Sequence, residues 1–158
     1  VVEFGMSPTQ NSTSVYGSNR EITSILGNLT GEVTLTVQSL DEEVQAEVMG
    51  KVKAEGGGYL DKGLDKPYVA LMAEKSLDGG EYEYLTLYKG KFDLAEEKAK
   101  TKEDQAEAQA QSYTARFIQL KDKTFKHAVR TTSMEEDEKT AFMEKWGKQV
   151  IKPAVAQE

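Results

Sequence analysis

Two runs of carboxylates, Asp41-Glu42-Glu43 and Glu135-Glu136-Asp137-Glu138, are the residues of this sequence best suited by type and spacing to do chemistry. Neighbouring carboxylates can divide general acid and base roles or hold magnesium. Each run, however, overlaps a capping-box match, Ser39-Leu40-Asp41-Glu42 and Ser133-Met134-Glu135-Glu136. Negative charge in the first turn of a helix is favoured by free backbone N–H groups and the macrodipole, so both runs read as helix starts. His127 is the single histidine and there is no cysteine, which removes thiolate catalysis, Cys/His pairs and multi-histidine metal sets. Beside Lys126 and Arg130 in strand alternation, His127 reads as a structural or surface residue, and no G-x-S-x-G elbow accompanies it. Gly56-Gly57-Gly58 lacks the Gly-Lys-Ser/Thr of a phosphate loop and reads as a connector. Asp78-Gly79-Gly80-Glu81 lacks EF-hand spacing and reads as a turn, and the sequon matches at Asn11 and Asn28 read as chance. The expectation is a protein with no catalytic residue, no metal and no cofactor.

The charge balance points the same way. Twenty basic against 27 acidic residues give a formal net charge of -7, which repels phosphate backbones. No apolar run approaches the roughly 18 residues of a membrane span. Val1-Val2-Glu3-Phe4 lacks the basic and apolar regions of an export signal, so neither spanning nor visible secretion is expected. A length of 158 residues suits one domain over 1–158.

The elements that would position any site follow from periodicity. Residues 6–20, with Ser7-Pro8-Thr9-Gln10-Asn11-Ser12-Thr13-Ser14, read as a long polar loop. Residues 20–26 and 32–40 read as a hairpin turning at Gly27-Asn28-Leu29-Thr30-Gly31, with Val33, Leu35 and Val37 on the dry face. A short helix follows, carrying Val44, Val48 and Val52 and stopped near Gly50. Residues 68–77 and 82–94 flank Asp78-Gly79-Gly80-Glu81 as a second hairpin, with Tyr82, Tyr84, Tyr88 and Phe92 on one face and Leu85 and Leu87 on the other. Residues 95–105 read as a flexible polar segment leading to a strand that includes Glu107, Gln109 and Gln111. Residues 113–120 and 125–131 read as a third hairpin, followed by a helix anchored by Phe142 and Trp146, stopped at Gly147, and a terminal strand at Val150-Ile151. The fold class is α+β, mostly antiparallel β, of sandwich or barrel type with two short helices.

The order of these pieces carries a resemblance. Gly27-Asn28-Leu29-Thr30-Gly31-Glu32-Val33-Thr34-Leu35-Thr36 followed by a short helix ending in Met49-Gly50 resembles the middle of major tail proteins of long, non-contractile-tailed bacteriophages. So do Lys66-Pro67-Tyr68-Val69-Ala70-Leu71, the run from Tyr82 to Phe92, and Lys100-Thr101-Lys102-Glu103-Asp104 before a late strand. The resemblance covers residues 15–131. It implies a tail-tube-type β-sandwich or barrel whose hexameric rings stack into the tube that conducts DNA during ejection. It also implies tape measure and tail terminator proteins as partners, assembly in the host cytoplasm and residence in the virion.

On that reading Glu32, Thr34, Thr36 and Gln38, or Glu107, Gln109 and Gln111, are candidate lumen-facing residues, past which DNA slides without specific binding. Ser7, Thr9, Asn11, Ser14, Asn19 and Arg20 are candidates for an inter-ring loop. The alternative is a host- or carbohydrate-binding β-sandwich of a tail tip or baseplate, with Tyr82, Tyr84 and Tyr88 stacking on sugars. A small hydrolase would need two carboxylates with perturbed pKa in one pocket.

Overall fold

Strands with one dry face announce themselves by alternation, and here they form the centre of the structure. The computed structural model describes residues 3–17, 20–38, 40–93 and 110–154, with the backbone alone at 15–17 and 20–23. The elements run β1 (Glu3–Gly17), β2 (Arg20–Val37), α1 (Glu42–Val48), β3 (Val52–Lys53), β4 (Tyr59–Leu60), β5 (Val69–Ser76), β6 (Tyr82–Phe92), β7 (Gln111–Ile118), β8 (Lys126–Arg130) and α2 (Glu136–Lys145). One curled antiparallel sheet has the order β1-β2-β7-β6-β5, with β8 also along β6, while β3 and β4 pair separately. The α+β, mostly antiparallel class with two short helices is the one the sequence implied.

The dry face of β2 meets that of β7. Val33 lies opposite Ala115, and Leu35 opposite Tyr113. Val33, Ala115, Phe117 and Leu87 are fully enclosed and join Phe92, Phe125 and Met49 in the main core. Burying side chains of this kind is worth about 1.5–3 kcal/mol each. Val48 and Leu40 pack on the same cluster, so α1 closes this face. Tyr84, an odd number of residues from Leu87 in a regularly paired stretch, faces the other way and is buried against Phe142 and Trp146, with ring centroids 5.4 and 4.8 Å away. The two helices thus cover opposite faces of the sheet.

Several expectations change. Residues 6–17 are not a loop: they lie in β1 and pair with β2, Ser7 opposite Glu32 and Thr9 opposite Thr30. From Ser7 to Ser14 every side chain is exposed, and a stretch wet on both faces needs no apolar residue, so alternation could not reveal it. Gly27 to Gly31 is not a turn but the interior of β2. Gly31 is there because Phe125 presses on it, and a Cβ would meet that ring at 2.7 Å. The strands at 113–120 and 125–131 exist but do not pair with each other. Both run along the same edge of β6, with Gly90 opposite Phe117 and Leu87 opposite Lys126.

Phe92 joins Leu87 in the core, because β6 has one residue more than β5 between the Val69–Gly90 and Leu71–Leu87 pairs. This bulge breaks the alternation. Asp41, not Ser39, caps α1, accepting from the Glu43 N–H at 2.9 Å; Ser39 lies outside the described residues. Gly50, at φ 67°, stops that helix as expected, leaving Val52 in β3. No side chain caps α2, and Ser133 ends a 3-10 turn. Val150 and Ile151 form no strand, although the Tyr88 hydroxyl donates to the Ile151 carbonyl at 3.0 Å. The segment 95–105 lies outside the described residues.

Gly90 carries a prediction whose sign is informative. Gly to Ala at an unobstructed strand position stabilises by about 0.4–1 kcal/mol, but a Cβ at Gly90 would lie 2.6 Å from the Phe117 ring. Gly90→Ala is expected to destabilise by about 1–3 kcal/mol, and Gly5→Ala, where nothing lies within 4 Å, to be neutral or stabilising. Urea denaturation midpoints of the two variants check this.

Candidate functional site

Two surfaces stand out, and the first is the projecting end of the β1–β2 hairpin. Pairing of β2 with β7 begins at Thr30, so the part of β2 before it pairs only with β1. From Thr30 to Arg20 this ribbon reaches on the order of 30 Å at about 3.3 Å per residue. A bulge marks its root: Gln10 lies opposite Leu29 and Ser12 opposite Leu26, leaving Asn11 against two residues, Gly27 and Asn28. Ile25 and Leu26 sit beyond the bulge, 60% and 67% exposed, and as neighbours on one strand they point to opposite faces. A two-stranded ribbon is marginally stable by itself in water, and exposed apolar residues on both faces leave it ready for a partner.

Of the expected contact residues, Ser7, Thr9, Asn11 and Ser14 all lie exposed on β1. Ser7 and Thr9 belong to the sheet, Asn11 to the bulge and Ser14 to the ribbon, opposite Ser24. Arg20 begins β2 at the far end, opposite Gly17, and Asn19 lies outside the described residues.

The second surface is the wet face of β2 and β7. Thr34 lies opposite Thr114 and Thr36 opposite Ser112, the latter pair hydrogen-bonded at 3.2 Å. Glu32 lies opposite Arg116, which lies opposite Lys91. This face is therefore rich in hydroxyls and mixed in charge rather than acidic. Gln38 is exposed in a bend just past the strand. Gln111 is on the other face, opposite Val37, where its Oε1 accepts from the Tyr113 hydroxyl at 2.6 Å. Glu107 and Gln109 lie outside the described residues. Arg116 was legible in the sequence as the polar residue between Ala115 and Phe117, but its place beside Glu32 needed the strand pairing.

Beside this face, the Lys89 and Lys91 ammonium groups stand 4.4 and 4.5 Å from the centre of the exposed Tyr68 ring. Lys91 also pairs with Asp65 at 2.6 Å, which holds that carboxyl below its ordinary range. Asp122 is held at about 2 by hydrogen bonds from Lys152 and Thr124. Both carboxylates with shifted pKa are thus kept ionised, whereas a general acid needs the opposite shift. Burial lowers the pKa of His127 and raises those of Tyr84, Tyr88 and Tyr113. Among the described residues no group of acidic, histidine or cysteine side chains could hold a metal ion. The three tyrosines proposed to stack on sugar form no platform, since Tyr84 is buried under Phe142 and Trp146 and the Tyr88 hydroxyl is tied to Ile151.

The Asp122–Lys152 contact has a defined pH range. A carboxyl lowered from 3.8 to about 2 on folding contributes fully above pH 3.8 and loses its contribution as pH falls through about 2. Carboxyl NMR titration is expected to show the Asp122 midpoint near 2, and Lys152→Ala to move it back toward 3.8.

No individual curated protein matches the chain. Over residues 8–153 the sequence matches the family described as phage tail tube protein, a stretch that includes the ribbon, both helices and all of the sheet but the first five residues of β1. The chain belongs to the phage tail tube protein family, whose members are structural components of the virion.

Proposed function

We propose that this subunit closes with copies of itself into hexameric rings, that the projecting β1–β2 ribbon joins each ring to the next, and that DNA passes through the resulting tube without specific binding. The observation that carries the reading is the ribbon, an arm with apolar residues exposed on both faces. A subunit that remained alone would gain nothing from it. The sheet supports ring closure: β1 and β5 end its main strand order and β8 pairs only with β6, and joining such edges around a ring satisfies their free backbone groups.

Glu32, Thr34 and Thr36 supply a wall for the lumen in this reading, with Gln38 at its margin. Hydroxyl pairs occupy the rungs at Thr34 and Thr36, and the cations Arg116 and Lys91 are confined to the rung that begins at Glu32, which limits the positive charge offered to phosphates. The net charge of -7 adds a general repulsion. Tape measure and tail terminator proteins are the partners expected at the lumen and at the end of such a tube, with assembly in the host cytoplasm.

Negative-stain electron microscopy of the purified protein is expected to show hollow tubes. Replacing residues 12–26 with a two-residue turn is expected to abolish the tubes while circular dichroism still reports a folded sheet. Ile25→Asp with Leu26→Asp is expected to reduce tube formation at least tenfold. Tubes of normal length from the armless protein would remove the arm from its role, and a wild-type protein that stays monomeric at millimolar concentration would remove the assembly reading.

A further inference from the structure

We infer that the loop between β7 and β8 is a collar that sets the direction in which the arm leaves the sheet, with Gln119 as its positioning residue. The β2–β7 ladder ends at the Thr30–Ile118 pair, and the next rung would place Leu29 opposite Gln119. There the Gln119 side chain replaces the backbone: its Oε1 accepts from the Leu29 N–H at 3.0 Å, and its Nε2 donates to the Lys123 carbonyl at 2.8 Å. One amide thus binds both the root of the arm and the loop. Lys123 reaches the adjacent residue, donating from Nζ to Asn28 Oδ1 at 3.2 Å. Phe125, at the end of the loop, packs on Gly31. The contacts to Leu29 and Asn28 fall on or beside the bulge at Asn11, where the ribbon bends most readily, and Phe125 holds β2 three residues further into the sheet.

The collar is itself held firmly. Leu120 N–H donates to the Thr124 carbonyl at 2.8 Å, and Lys123 N–H to the Leu120 carbonyl at 3.0 Å. Lys123 adopts φ 69°, the one left-handed residue other than glycine among the described residues. That conformation strains a lysine where a glycine would be free of strain. The side chain at this position is what reaches Asn28. On its far side the loop is tied to the C-terminal segment by the Asp122–Lys152 ion pair.

The consequence for assembly rests on the proposed role of the arm, but the direction of the arm can be measured without it. The chain has no cysteine, so spin labels on Ser24→Cys in the arm and Thr132→Cys in the body mark only those two places. Pulsed electron resonance on unassembled protein is expected to give one narrow distance for the parent. Gln119→Ala is expected to at least double its width. Gln119→Glu, which keeps the acceptor for Leu29 and loses the donor to Lys123, is expected to fall between the two. Lys123→Gly keeps the left-handed backbone while removing the ammonium, and is expected to broaden the distance even if Gln119→Ala fails to fold. Unchanged widths in folded Gln119→Ala or Lys123→Gly, or a broad distance in the parent, would overturn the collar. Broadening with undiminished tube formation would leave the collar standing and count against the arm as the joint between rings.

Discussion

The ladder between β2 and β7 is the contact on which the rest of this structure depends. Over it Val33 meets Ala115 and Leu35 meets Tyr113, so the dry sides of two strands distant in sequence create the core that α1 then closes. The same ladder fixes the register of the wet side, since a shift of one residue would exchange the two faces. It also determines where the body stops. Beyond Thr30 β2 has lost β7 but keeps β1, and what continues is the arm.

One strand therefore serves two environments. In its second half β2 is part of a sheet whose hydrogen bonds and apolar contacts reinforce each other. In its first half it belongs to a ribbon with no core. The change is managed locally, by a bulge, by the side chain of Gln119 standing in for a rung, and by Phe125 packed on Gly31. A similar economy is seen in β6, which takes β5 on one side and β7 and β8 in turn on the other, with a bulge against β5 between the two stretches. That arrangement lets Leu87 and Phe92 share the main core while Tyr84 anchors α2 on the opposite face.

For a tail tube protein the relevant chemistry is that of surfaces. On the wet face Thr34 lies opposite Thr114 and Thr36 opposite Ser112, while Glu32 lies opposite Arg116 with Lys91 beyond it, so hydroxyls and mixed charge share the surface. The arm has the opposite character, with Ile25 and Leu26 kept in water. The acidic runs that first suggested catalysis sit at the starts of α1 and α2, where the helix dipole accounts for them.

Local chemistry was legible in the residues. The β5–β6 hairpin, both helices, their glycine stops, the Phe142–Trp146 anchor and the alternation of Val33, Leu35 and Val37 follow from propensity and periodicity, which act within a few residues, whereas the capping boxes did not hold, since Asp41 caps α1 and no side chain caps α2. The order of motifs was enough to suggest the family. The arm was hidden because a ribbon wet on both faces leaves no apolar period in Ser7 to Ser14, and because Gly27 and Gly31 resemble turn residues when they are places of close approach. The pairing of β8 with β6 was hidden because adjacent strands ordinarily pair, and here the seven residues 119–125 form a collar instead of a turn. Sequence by itself thus determined the two helices and the strands with an apolar period, since those preferences are local, but not β1 or the passage of β2 through Gly27 to Gly31, which carry no such period. Only the tertiary structure decided which strand lies beside which, and so where the sheet ends and the arm begins, because that choice belongs to contacts between residues such as Gln119 and Leu29, 90 positions apart.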